Sequence, residues 1–216
     1  MLRRALPPKL GIDVILLRRL ILHVDSMNVG CDKVLWKAMF IVAFFGCFRV
    51  SEFLVSTDDL KLLTIDNVRL AGNSIEFVLD KTKNNTSGTP QQVLFAPLPG
   101  DIACPVLALL TFRSVRVQSK GSVAFFTDSV GTPVTASRFN VMLRKALQGL
   151  GIPDVALYSS KSFRVGAASM CYSLNLSTED IQALGRWAST AFLYYIRAGA
   201  RAARACIVQK KLSRVV

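Results

Sequence analysis

Apolar and polar positions along the chain alternate in a way that predicts a mainly helical body with one short β segment. From Ile12 to Val24, apolar residues recur at helical spacing (Val14, Ile15, Leu17, Leu20, Ile21, Val24), with Arg18 and Arg19 on the other side. Asp25 to Gly30 is a connector. Asp32 then stands where it can cap a second helix through about Phe48, with Lys33 and Lys37 facing outward. The run Ala38 to Phe48 is apolar throughout but well short of the roughly 20 residues that a bilayer crossing needs. It predicts a buried helix. Gly46 and the following Cys-Phe-Arg-Val-Ser-Glu mark where that helix gives way to the next element.

From Val68 the period drops to two. Val68 and Leu70, then Ile75, Phe77 and Leu79, alternate as strand residues do, separated by the turn Ala71-Gly-Asn-Ser. Lys81 to Pro90 is polar and turn-rich, and Gln92 to Ala96 reads as a third strand. This predicts a small antiparallel sheet within a helical protein. Cys104-Pro105 opens a helix to about Val117, and Phe125-Phe126 reads as buried, with a short strand expected there. Thr135 caps a helix whose apolar face is Phe139, Met142, Leu143, Ala146 and Leu147, ended by Gly149 and Gly151. Ser162 to Leu174, Thr178 to Leu184 (opened by Ser177 or Thr178) and Thr190 to Arg197 are further helices. Ala200 to Leu212 extends or follows the last of them. There is no internal repeat, low-complexity tract or interdomain linker, so residues 1–216 are expected to form a single domain.

Composition narrows the partner. Of 216 residues, 51% are hydrophobic, enough for a sizeable core, yet Lys and Arg number 27 against 14 acids, for a net charge of +13. That imbalance points to a polyanion, with nucleic acid ahead of an anionic membrane surface. The cysteines (Cys31, Cys47, Cys104, Cys171, Cys206) are widely spread, no pair has metal-ligand spacing, and His23 is the only histidine. A zinc site is therefore not expected, and the thiols read as structural ones in a reducing compartment. The N-terminus lacks the long apolar core and cleavage site of a signal peptide.

Several polar residues stand out from this pattern. Arg49 follows the apolar run, with Glu52 three positions later, and a charge against a core must be paired. The pair is either a buried ion pair that ends a helix or a glutamate orienting a guanidinium toward a ligand phosphate. Lys81 and Lys83 lie at a hairpin tip, as solvated surface charge or as flexible ammonium groups able to protonate a leaving oxygen. Lys161 and Arg164 share a helix face. Arg186-Trp187 sits where Leu184-Gly185 breaks a helix. Tyr194 and Tyr195 lie among Phe192, Leu193 and Ile196, as core residues or as a nucleophile and its neighbour. A guanidinium grips phosphate oxygens through a planar fork, and a tyrosine hydroxyl is a candidate covalent nucleophile.

The order of these residues carries a family resemblance. The strings Phe44-Phe-Gly-Cys-Phe-Arg-Val-Ser-Glu-Phe53, Lys161-Ser-Phe-Arg-Val-Gly-Ala-Ala168 and Leu184-Gly-Arg-Trp-Ala-Ser189 resemble the catalytic domain of the tyrosine recombinases, the phage-integrase family. Within it, they look like the recombinases of eukaryotic mobile elements of the DIRS and Crypton type. The likeness runs from about Leu35 to Arg197. It implies an α+β, mainly α catalytic domain with a small antiparallel sheet.

The resemblance also implies roles. Arg49 would be the first catalytic arginine, with Glu52 its supporting acid, and Arg164 the second. Lys81 would be the hairpin lysine, with Lys83 as rival. Lys161 stands where the family usually has histidine. Arg186 takes the His/Trp position by its nine-residue spacing to Tyr195, with Trp187 as the alternative. Tyr195 would be the nucleophile, with Tyr194 as the alternative. The implied activity is DNA cleavage and rejoining through a 3′-phosphotyrosyl intermediate without a cofactor or metal, in recombination or integration. The partner would be double-stranded DNA, with a homo-oligomer on it and no membrane, in a nuclear protein. Two departures set the other expectation, a catalytically silent DNA-binding remnant: histidine is absent at 161 and 186, and the family's N-terminal DNA-clamping domain is expected to be missing.

Overall fold

The computed structural model describes residues 9–54, 63–79, 89–117, 124–190 and 192–196. In chain order the elements are α1 (Val14–Ser26), α2 (Lys33–Phe45), α3 (Val50–Phe53), β1 (Val68–Ala71), β2 (Ser74–Leu79), β3 (Gln91–Phe95), α4 (Pro105–Val115), α5 (Ala136–Gly149), α6 (Lys161–Ser173) and α7 (Thr178–Leu184), with residues 192–196 also helical. Lys81, Lys83, Cys206 and the segment Ala200 to Leu212 lie outside the described residues. Among the described residues no helix is long and apolar enough to cross a membrane.

Helix starts follow local chemistry. Asp13 accepts from the Leu16 N–H, Thr135 from the Arg138 N–H and Ser177 from the Asp180 N–H, each a cap worth about 1 kcal/mol. Pro105 opens α4, where its missing N–H leaves no helical bond unmade. Asp32 does not cap α2 with its side chain. Its carboxylate instead accepts from the Ser129 N–H at 2.8 Å and faces Arg138 at 3.5 Å. A long-range partner outcompetes the local one.

From Ala38 onward α2 is apolar all round, and α1, α4 and α6 all pack against the helix. Phe40 stacks on Phe163 at 5.7 Å and meets the edge of Phe139 at 5.6 Å, tying α2 to α6 and α5. The sheet is antiparallel in the order β1-β2-β3, with Val68 opposite Phe77 and Phe77 opposite Val93. Phe77 packs on Phe48, Phe95 and Phe125, so the sheet closes over the far end of α2. Phe125 and Phe126 are buried, but isolated bridges at Ala124 and Thr127 flank them in place of the expected strand.

Residues 10–12 run along the start of α6: the Leu10 N–H donates to Leu157 O and the Ile12 N–H to Ser162 O. Gly166 permits this approach, since a Cβ there would sit 1.7 Å from Ile12 O. With α6 pinned on both sides, Arg164 projects from its buried face toward the ends of α2 and α7.

Candidate active site

Two helix C-termini of the same design form the site. Helix α2 ends at Gly46 and α7 at Gly185. Each glycine is followed by a non-glycine residue at positive φ, Cys47 at +46° and Arg186 at +54°. Next comes an aromatic ring folded back on the glycine: a Cβ would lie 2.3 Å from the Phe48 ring at Gly46, and 1.7 Å from the Trp187 ring at Gly185. The hydrogen bonds are those of a Schellman motif. Cys47 and Phe48 donate to Phe44 O and Ala43 O, while Arg186 and Trp187 donate to Ala183 O and Gln182 O. Holding a side-chain-bearing residue in the left-handed region costs roughly 1–3 kcal/mol, so the surrounding bonds must enforce it.

A helix C-terminus carries partial negative charge and carbonyls without helical partners. Here arginines meet both ends. Arg164, on α6, donates through Nη1 to Cys47 O at 2.5 Å and through Nη2 to Gly185 O at 2.8 Å, which bridges the two turns. Arg186 donates from Nη2 to Gly46 O at 3.0 Å and Cys47 O at 3.3 Å, and Arg49 Nη2 donates to Arg186 O at 3.2 Å. Each turn thus supplies an arginine to the other turn's carbonyls.

Glu52 is the charge centre. Its carboxylate accepts from the Arg49 backbone N–H at 2.9 Å, Arg49 Nη1 at 2.8 Å and Arg186 Nη2 at 2.8 Å, with Arg164 Nη1 at 4.0 Å. Among the described residues, one buried carboxylate therefore faces three guanidinium groups, which leaves two positive charges in the cluster without an acid. Burial alone would push the Glu52 carboxyl up, but Arg186, then Arg49 and Arg164, hold it below the usual range. Burial pulls Arg164 below the ordinary arginine value. Among the described residues Arg186 Nε, a buried donor, has no partner, a deficit that costs about 1–3 kcal/mol and that an acceptor brought close to it would remove.

The structure brings Arg49, Glu52, Arg164 and Arg186 together from three separate stretches of chain. The Arg186 guanidinium is turned inward, its side chain only 7% exposed and 5.0 Å over the Phe48 ring, whereas Arg49 is 21% exposed and holds the open side. Trp187 packs its indole over Arg164, 4.5 Å from guanidinium carbon to ring centroid. Tyr195 is half-buried with its ring 6.1 Å from that of Trp187, so the tyrosine joins the arginines through the indole. Its neighbour Tyr194 is exposed. Lys161 is exposed at the start of α6, one turn before Arg164. An open cleft of about 410 Å³ between the start of β3 and α7 is lined in part by Arg186, Trp187, Gln182 and Glu179. Sequence reasoning missed the carbonyls of Gly46, Cys47 and Gly185, and also Gln182. The one signal for them was the glycine closing each helix.

The Cys47 thiol is enclosed in this knot. Burial pushes it up to about 11, against the opposing pull of Arg164 and Arg186. At pH 8 only about one in a thousand such thiols is ionised. With Cys206 replaced by Ser, titration with an aromatic disulfide reagent at pH 8 is expected to label exposed Cys31 rapidly. Cys47, Cys104 and Cys171, all buried, should react only after denaturation. Rapid labelling of two or more thiols in the folded protein would contradict the packing.

No family model and no curated protein matches the chain in sequence. Solved structures do match in fold. The XerA recombinase superposes with a TM-score of 0.67 at 18% identity, over 97% of this chain and 66% of that one. A lambda integrase dimer bound to a COC' core site gives 0.61 at 12%, over 89% and 49%. The Tn1549 transposon integrase with transposon right end DNA gives 0.64 at 13%, over 96% and 68%. The chain thus spans about half to two thirds of the length of these proteins. Its mainly helical body with a three-stranded antiparallel sheet is the tyrosine-recombinase catalytic-domain fold.

Proposed function

We propose that this chain is the catalytic domain of a tyrosine-type DNA recombinase or integrase, which cleaves and rejoins strands through a 3′-phosphotyrosyl intermediate. The observation that carries the reading is the cluster of Arg49, Arg164 and Arg186 around one buried glutamate, with positive charge in excess and Tyr195 one indole away. The Tyr195 oxygen attacks phosphorus, its proton passing to water as the new P–O bond forms and the bond to the 5′ oxygen breaks. Lys81 or Lys83 supplies the proton that leaves with that oxygen as a 5′-hydroxyl. Arg49 and Arg164 stabilise charge on the non-bridging oxygens, with Lys161 beside them, an electrostatic contribution fixed before the reaction begins. A second 5′-hydroxyl then attacks the phosphotyrosine and restores the phenol. The motif strings support an origin in a DIRS- or Crypton-type element and a nuclear setting. Double-stranded DNA is the partner, bound by a homo-oligomer, in keeping with the net charge of +13.

A second reading is favoured by one observation: Arg186 turns both terminal nitrogens of its guanidinium toward the protein's own carbonyls and Glu52. In it, the domain binds DNA without cutting it. Both readings are tested with a labelled pool of nicked duplexes of randomised sequence, in which a short cleaved fragment diffuses away and traps the adduct. Strand transfer predicts label that stays with the protein through denaturing electrophoresis and maps to a tyrosine-containing peptide. Salt-sensitive DNA binding with no such band from the whole pool establishes the silent module.

A further inference from the structure

We infer that Trp187 and Gln182 are positioning residues that set the distance between Tyr195 and Arg164, an inference that rests on the strand-transfer reading. Three contacts place the indole between the two. The Arg164 guanidinium lies 4.5 Å from its centroid, while the rings of Phe192 and Tyr195 lie at 5.4 Å and 6.1 Å. Phe192 is fully buried, so the 192–196 turn is anchored against the same indole that Arg164 rests on.

The indole is itself held firmly. Trp187 N–H donates to Gln182 O at 3.0 Å, and Gln182 Nε2 donates back to Trp187 O at 3.0 Å. Gln182 thus clasps both backbone polar groups of Trp187. The ring is pressed on Gly185, where no side chain fits. Arg164 is fixed on its edge by Cys47 O and Gly185 O and on its face by Trp187. Stacking of this kind leaves a guanidinium's in-plane N–H groups free to bond oxygen acceptors.

Removing the indole therefore has a particular consequence. Arg164 keeps its carbonyl partners and the cluster keeps its charge, so DNA affinity should survive. The 192–196 turn loses the surface that fixes its approach, and a displacement of about 1 Å at a reacting atom costs roughly 10²-fold in rate. A residue that merely filled the core would instead lower affinity and rate together as the fold weakened.

The test measures non-covalent DNA affinity and the single-turnover rate of adduct formation in parallel. Trp187→Leu and Gln182→Met, neither of which adds charge, are expected to lose about 10²-fold in rate with affinity unchanged. Trp187→Phe, which keeps an aromatic face for both partners, should recover most of the loss. Equal loss of affinity and rate in Trp187→Leu, or a Phe variant no better than Leu, overturns the proposal. A second measurement needs no cleavage. Only Trp36 and Trp187 are tryptophans, so in a Trp36→Phe background the emission comes from Trp187 alone. Acrylamide should quench it poorly in the parent and strongly in Gln182→Met and Arg164→Ala. Unchanged quenching in both variants sinks the coupling whatever the adduct assay gives. Wild-type protein that forms no adduct, yet shows the quenching change, defeats the strand-transfer reading while leaving the clasp of Gln182 on Trp187 established.

Discussion

Under the proposed strand-transfer reaction, Tyr195→Phe is expected to abolish the covalent protein–DNA adduct, a loss on the order of 10⁴-fold or more in single-turnover rate, because no other group would replace the missing nucleophile. Phenylalanine keeps the ring, and the ring is what packs at 6.1 Å from Trp187, so fold and DNA affinity should hold. Tyr194→Phe provides the contrast. That side chain is exposed, away from the indole that joins its neighbour to Arg164, and its loss should leave the adduct within a few-fold of wild type. The readout is label retained on denaturing gels, with peptide mapping of the wild-type adduct. Retention in Tyr195→Phe together with loss in Tyr194→Phe would move the nucleophile by one residue. It would also require the 192–196 turn to rotate before chemistry.

How far the sequence predicted this arrangement depended on the range of the interaction. The antiparallel hairpin is present at the expected turn, with Gly72 in the left-handed region, and Thr135 and Ser177 cap their helices, because each of these features is decided within a few residues. Apolar periodicity overran the end of α2: the sequence stays apolar to Phe48, but the helix stops at Phe45 so that Phe48 can fold back over Gly46. Pattern reports burial, not the geometry that achieves it. Left-handed Cys47 and Arg186 carry no marker in their residue types, since glycine is the usual occupant of such a position. The Arg49–Glu52 pairing was visible at three-residue spacing. What was hidden is that Arg186, far along the chain, shares the same carboxylate. Whether a guanidinium faces solvent or protein is settled by tertiary partners, and only the folded chain shows them.

That shared carboxylate gives the other large effect. Glu52→Gln is expected to lower the unfolding free energy by about 3–5 kcal/mol, since removing one partner strands buried charge. Against a total of roughly 5–15 kcal/mol this is a large fraction. With a urea slope near 2 kcal/mol per molar, the midpoint should fall by about 2 M. A glutamine oxygen can accept from one arginine, but its amide N–H groups then face a second donor where Glu52 accepts from Arg49 and Arg186 together. The pH dependence follows from the direction of the Glu52 shift. Burial raises its carboxyl, the arginines more than reverse that, and the folded value lies below the unfolded value of about 4.3. As pH falls through that window the unfolded chain takes up the proton first, so the contribution is complete above about pH 5 and fades toward the folded value. Asp101 and Asp128 are also held low, but they titrate alike in wild type and variant and drop out of the difference between the two stability curves. That difference should be large and flat above pH 5 and shrink in acid. Parallel curves with no offset would mean that the C-terminal carbonyls of α2 and α7 hold the three guanidinium groups unaided, and Glu52 would lose its place at the centre of the site.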